Sequence, residues 1–138
     1  MFINYNNSNE LFNKGDKVVC VEDRGWNDLS AHDFILKNNM IFTVLDTITF
    51  NGVQSLDIGA RFNDKNKQTK QFLSSASIPG IGIHWASSFR FKKVNDFEIE
   101  HYEKLLREEL TNDIQIAVNN DEFELAIKLR DVLNEINN

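Results

Sequence analysis

The sequence predicts an α+β protein in which a small β-barrel over residues 1–95 is followed by an antiparallel helical hairpin over residues 96–138. Three observations predict that division. The first is charge. The chain of 138 residues has a formal net charge of −6, but residues 1–95 carry 11 Lys and Arg against 9 Asp and Glu, whereas residues 96–138 carry 4 against 12. A near-neutral part of +2 is thus joined to an acidic part of −8. The second is aromatic content: ten of the eleven Phe and both Trp precede residue 98. The third is backbone chemistry. From Asp96 onward there is no Gly and no Pro, and good helix formers dominate. Shifts of this kind mark a change of architecture, here near Val94–Phe97.

Asn4, Asn6, Asn7, Asn9 and Asn13 make the first dozen residues a flexible, loosely attached arm. Lys17-Val18-Val19-Cys20-Val21 is a β-branched run entered through the turn pair Gly15-Asp16. Ile41-Phe42-Thr43-Val44-Leu45 is a second run, entered through Lys37-Asn38-Asn39. Thr47-Ile48-Thr49-Phe50 and Val53-Gln54-Ser55-Leu56-Asp57-Ile58 flank Asn51-Gly52, a strong hairpin signal because both central residues tolerate positive φ. Ile83 to Val94 supplies a further run, with Trp85, Phe89 and Phe91 at even spacing. Several short strands separated by turn signals fit a compact barrel or sandwich. Polar stretches interrupt them at Glu22–Asp33, around Trp26, and at Asn63–Gln71, and Ser74–Gly82 holds the only proline, Pro79.

Gly15-Asp16-Lys17-Val18-Val19-Cys20-Val21 resembles the first strand of small SH3-like barrel proteins common in bacteria and their phages. Ile41-Phe42-Thr43-Val44 and Ser87-Ser88-Phe89-Arg90-Phe91 look like later strands of such barrels. The chain departs from them by long insertions between strands. The resemblance implies an SH3-like β-barrel and no particular activity, since small barrels host many functions.

In the acidic part, Leu106, Leu110, Ile114, Ala117 and Val118 fall at helical spacing. Asn119-Asn120-Asp121 breaks the pattern, and Asn120 or Asp121 is suited to cap the next helix, with Glu122 and Glu124 in its first turn. Phe123, Ala126, Ile127, Arg130 and Leu133 or Asn134 mark one face of that second helix, and Leu125, Leu129, Val132 and Ile136 mark another. A two-helix hairpin buries one face of each helix, so a second apolar face needs a further cover. Either the barrel or another hairpin, from a second copy or a different protein, supplies it.

Asp121-Glu122-Phe123-Glu124, Ala126 and Arg130-Asp131, with the small Ala117 late in the first helix, resemble the UVR motif. This hairpin is shared by the excision-repair subunits UvrB and UvrC, Clp-type unfoldases and arginine-kinase activators. Ile127 stands where a second alanine is usual and Ile114 where methionine is common. The size of Ile127 bears on how closely the helices approach. The residues themselves suggest roles: Phe123 to plug the open end of the hairpin, Ala117 and Ala126 to permit close contact, and Arg130, with Asp131, to pair across the hairpin or with a partner. Partner docking is what the resemblance implies, through Phe123, Glu124, Ala126, Leu129, Arg130, Asp131 and Val132, supported by Leu106, Leu110, Ile114 and Ala117.

The chemistry of other residues points away from catalysis. A single cysteine, Cys20, excludes an intramolecular disulfide framework and a cysteine-based zinc site. His32, His84 and His101 have no His or Cys at metal-ligand spacing, and Gly80-Ile81-Gly82 lacks the context of a phosphate loop. No metal, cofactor or catalytic residue is therefore expected. No apolar run approaches the roughly 18 residues of a membrane span, and Met1-Phe2-Ile3-Asn4-Tyr5 does not open a signal peptide. A cytoplasmic location is the expectation.

The expected function is that of a non-catalytic adaptor whose hairpin docks on a partner protein: an excision-repair component, a Clp-type proteolysis component, or a second copy of the chain. The alternative is nucleic-acid binding by the barrel. Lys65, Lys67 and Lys70 in one loop, and Arg90, Lys92 and Lys93 at a strand end, would then grip phosphates, with Trp26 or Trp85 as a stacking platform. The overall acidity argues against that role for the tail and leaves the barrel open to it.

Overall fold

Val18, Val19 and Cys20 are fully buried, and strand β1 (Lys17–Cys20) that carries them is the centre of a three-stranded sheet. The computed structural model describes residues 11–26, 34–63 and 81–137. The chain divides into two compact units, Met1–Asn95 and Asp96–Asn138.

In the first unit β1 lies between β2 (Ile41–Thr43) and a strand at Phe91–Lys93, both antiparallel to it, with Val18 opposite Phe42 and Cys20 opposite Phe91. Two further strands, β3 (Asp46–Phe50) and β4 (Val53–Asp57), form a hairpin, with Phe50 opposite Val53 and Thr47 opposite Leu56. Asn51 and Gly52 close it with φ of 53° and 78°, the left-handed pair that a two-residue turn requires. The fifth and sixth strands, β5 (Arg61–Asn63) and β6 (Ile81–Ile83), pair with each other. The seventh, β7 (Ala86–Ser87), adds to β4, and Phe91–Lys93 is β8.

The chain passes from the first sheet to the second at Val44-Leu45. Val44 N donates to Asp16 O at 2.9 Å and Leu45 N donates to Asp57 O at 2.8 Å, so neighbouring residues bond to different sheets. A strand that switches sheets makes the corner of a packed β structure. The core enclosed by the sheets contains Phe12, Trp26, Leu36, Val44, Leu56 and Phe91. Each large apolar side chain there contributes about 1.5–3 kcal/mol on burial.

Four sequence expectations need adjustment. Among the described residues the strands form three separate antiparallel sheets, and no closed barrel is traced by their pairing. The run from Ile83 to Val94 is not one strand, because a 3-10 turn at Ser88–Arg90 separates β7 from β8. That turn breaks the alternation of Phe89 and Phe91, leaving the first exposed and the second buried. Phe12 does not belong to a loose arm: it is 3% exposed, and its backbone N–H and C=O bond to Gln54 Oε1 and Nε2 at 3.0 and 2.8 Å. Leu11 is exposed, and residues 1–10 of the predicted arm lie outside the described residues. Trp26 is 2% exposed and is a core residue, not a surface platform.

The second unit consists of α1 (Asp96–Asn119) and α2 (Phe123–Asn137), packed against each other. Leu106, Leu110 and Ala117 are the buried residues of α1, and Ala126 and Leu129 those of α2. The break between them is a Schellman turn: Glu122 N donates to Ala117 O at 2.8 Å and Asp121 N to Val118 O at 3.1 Å, around an Asp121 with φ of 60°. Neither Asn120 nor Asp121 caps α2, as the sequence suggested. Asp121 instead ends α1, and Glu122 precedes α2, its C=O accepting from Ala126 N at 3.0 Å.

Candidate functional site

Helical spacing and burial together sort the side chains of the hairpin. The buried seam of α2 runs through Ala126 and Leu129, with Leu133 and Ile136 half-buried, between the two faces that the sequence suggested. Ala117 and Ala126 both lie in the seam, and their small size permits close helix approach. Ile127 does not enter it. At 56% exposure it points away from α1, so its bulk has no bearing on helix separation.

Beside the seam runs an open strip. Phe123, Ile127, Arg130 and Asn134 recur at i, i+4, i+7 and i+11 along α2, and all four are exposed. Phe123 is 56% exposed; it stands at the turn without closing the end of the hairpin. Arg107, Thr111, Ile114 and Val118 recur with the same spacing along α1. A hydrogen bond from Arg107 Nε to Asn137 Oδ1, at 3.2 Å, ties the far end of one strip to the other. Since Asn137 continues the Phe123 spacing, the bond sets both strips on one side of the hairpin. That side combines Ile114, Val118, Phe123 and Ile127 with Arg107 and Arg130. It contains no carboxylate between Arg107 and Val118 on α1 or along the α2 strip, in a segment with 12 acidic residues.

Among the described residues, no hydrogen bond or ion pair engages Arg130, so the expected bridge across the hairpin is not formed. Its guanidinium is exposed beside Ile127. Glu124 is exposed and reaches Lys128 Nζ at 3.9 Å, and Asp131 is exposed on the outer side of α2. Of the seven residues expected to make the contact, Phe123, Glu124, Arg130 and Asp131 are at the surface, Val132 is half-buried, and Ala126 and Leu129 are inside the seam. The last two act on a partner only through the shape of the hairpin. Ile127 was legible in the sequence as a departure from the motif, and its solvent exposure is what makes it part of the strip. A shallow depression at the turn is lined by Asp121, Glu122, Phe123, Glu124, Leu125 and Lys128.

The basic residues of the first unit are arranged differently. Arg90 Nη1 donates to Glu22 O and to Arg24 O, both at 2.9 Å, and its guanidinium lies 5.7 Å from the Trp26 ring centre and 5.5 Å from that of Phe89. Lys93 Nζ is 3.7 Å from Asp16 Oδ2 and 6.0 Å from the centre of the Phe12 ring. Lys92 is half-buried, while Lys65, Lys67 and Lys70 lie outside the described residues. Trp85, the other suggested platform, is half-buried.

Burial pushes the Cys20 thiol up to about 12, which keeps it protonated and unreactive at neutral pH. The Arg24 guanidinium, 2.8 Å from Glu22, holds that carboxyl below its usual range. His84 packs against Trp26 with ring centres 4.2 Å apart, His101 is exposed, and His32 lies outside the described residues. Among the described residues no group of three or more His, Cys, Asp or Glu is placed to hold a metal ion, and no helix is long and apolar enough to cross a membrane.

A short antiparallel hairpin with a closed seam and an open apolar strip has the build of a protein-interaction module. The family model of the UvrB/uvrC motif matches residues 101–138, which takes in most of α1 and all of α2. The chain therefore carries a UVR motif, and UVR motifs mediate protein–protein interaction. Neither the curated proteins nor the solved structures contain a match to the chain.

Proposed function

We propose that the chain is a cytoplasmic, non-catalytic adaptor whose C-terminal hairpin docks on another protein through the strip of Phe123, Ile127 and Arg130. The observation that supports it most is the conjunction of that exposed, carboxylate-free strip with the UVR motif on the same two helices. Apolar side chains left open next to an uncommitted guanidinium suit a contact with an apolar centre and one charge-assisted hydrogen bond. By resemblance, the partners are components of excision repair or of Clp-type proteolysis, or a second copy of the chain. The first unit, read as an SH3-like barrel, would carry the hairpin.

The nucleic-acid reading has less behind it, since Arg90 Nη1 is directed at two backbone carbonyls and Lys93 is drawn toward Asp16. Affinity capture with mass spectrometry tests the adaptor reading. The double substitution Phe123→Ala and Arg130→Ala should remove the captured partners while the helical circular dichroism is unchanged. Capture that is indifferent to both substitutions would overturn it. Light scattering over a range of concentrations separates a second copy from a different protein.

A further inference from the structure

We propose that Asn51 is a site of spontaneous deamidation, and that the turn between β3 and β4 gates the reaction. Asn51-Gly52 is the only Asn-Gly step in the sequence. Both residues are exposed, and apart from Gly52 and its two chain neighbours no atom lies within 4 Å of the position a Cβ on Gly52 would occupy. Among the described residues the Asn51 carboxamide has no hydrogen-bond partner. The Gly52 nitrogen sits between the paired positions Phe50 and Val53, outside the strand ladder.

The chemistry needs only water and base. The Gly52 backbone nitrogen attacks Asn51 Cγ, so that an N–Cγ bond forms and the Cγ–Nδ2 bond breaks. The Gly52 proton passes to the departing nitrogen through solvent, and ammonia leaves a five-membered succinimide. Water then adds to one of the two ring carbonyls. Opening at Cγ yields aspartate, and opening at the backbone carbon yields isoaspartate, in which the chain runs through the former side chain.

The fold decides both rate and consequence. Attack requires the Asn51-Gly52 peptide plane to rotate until its nitrogen faces Cγ, and the paired left-handed turn resists that rotation. Transient opening of the hairpin end supplies it. The two products then differ. Aspartate tolerates the left-handed conformation and keeps the turn. Isoaspartate adds a backbone carbon to a two-residue loop, which no longer matches the Phe50–Val53 register. Strand β4 carries the buried Leu56 and Asp57, so loss of that register reaches the core of the first unit.

The full chain, incubated at mildly alkaline pH with and without urea, provides the test. Peptide mass spectrometry locates each converted asparagine, and labelling by an isoaspartyl methyltransferase counts isoaspartate. Conversion at residue 51 should precede that at every other asparagine and should run about tenfold or more faster in urea than in the native protein. No preferential conversion at residue 51 in either condition overturns the site. Equal rates in the two conditions overturn the gate. The isolated isoaspartate form should melt below both the parent protein and Asn51→Asp, and identical melting of the three would overturn the effect on the fold.

Discussion

At the scale of single residues, the same amino-acid type does different work according to what its donors meet. Arg90 and Lys93 look alike in the sequence, as two cations near the end of one strand. The structure gives Arg90 two backbone carbonyls and two aromatic faces, while Lys93, exposed, lies 3.7 Å from the Asp16 carboxylate and 6.0 Å from the centre of the Phe12 ring. Removing the first strands acceptors in the Glu22–Trp26 segment, whereas removing the second loses a long, partly exposed charge contact with Asp16 and an ammonium at the limit of cation–π range from Phe12. Arg90→Ala should therefore destabilise the first unit by about 1–3 kcal/mol. Lys93→Ala should cost about 0.5 kcal/mol or less. Urea unfolding followed by tryptophan fluorescence distinguishes them, because Trp26 lies under the Arg90 guanidinium. Equal effects of the two substitutions would mean that Arg90 contributes charge and not its hydrogen bonds.

At the scale of the element, the hairpin depends on a turn that places an L-residue where glycine is favoured. Asp121 occupies the left-handed position of the Schellman turn, with φ of 60°. A Cβ there costs about 1–2 kcal/mol for an ordinary residue and less for aspartate, which visits this region more readily. Asp121→Gly should stabilise the second unit by about 0.5 kcal/mol, since the greater freedom of unfolded glycine takes back part of the gain. Asp121→Val should destabilise it by about 1–2 kcal/mol, as a β-branched residue fits the region worst. Thermal melting by helical circular dichroism reads both signs. A loss with both would show that the Asp121 carboxylate, not its backbone angle, is what the turn needs. The helices themselves were legible because apolar spacing, the absence of Gly and Pro, and the Asn119-Asn120-Asp121 break all agree. The cap differs from its sequence expectation because Asn and Asp suit both a helix start and a left-handed helix end, and local sequence does not decide between them. The 3-10 turn at Ser88–Arg90 was hidden for a similar reason. Even spacing of Trp85, Phe89 and Phe91 imitates a strand, while the Arg90 contacts that accompany the bend come from residues more than 60 positions away. The exposed strip was half legible: its residue types are plain in the sequence, but which of two apolar faces is buried depends on how α2 packs on α1.

At the scale of the whole molecule, the uneven charge that divides the sequence is also a thermodynamic property. The acidic segment carries a net −8 over 43 residues, and its Glu124–Lys128 pair is long, at 3.9 Å, with Glu124 90% exposed. Such a pair contributes little. Repulsion from the net negative charge of the segment, whatever local pairs its carboxylates make, opposes the hairpin at low ionic strength. Added salt shortens the screening length from about 30 Å at 0.01 M to about 3 Å at 1 M, which removes most of that repulsion. The first unit, at +2, has little to gain. The two units also carry separate probes, since both tryptophans belong to the first and both α-helices of the described residues to the second. Raising the salt concentration should lift the midpoint of helix melting by about a few degrees and move the tryptophan transition less. A fall in the helical midpoint would mean that specific ion pairs outweigh the net charge, and would locate the stability of the hairpin in its salt bridges and not in the seam of Leu106, Leu110, Ala117, Ala126 and Leu129.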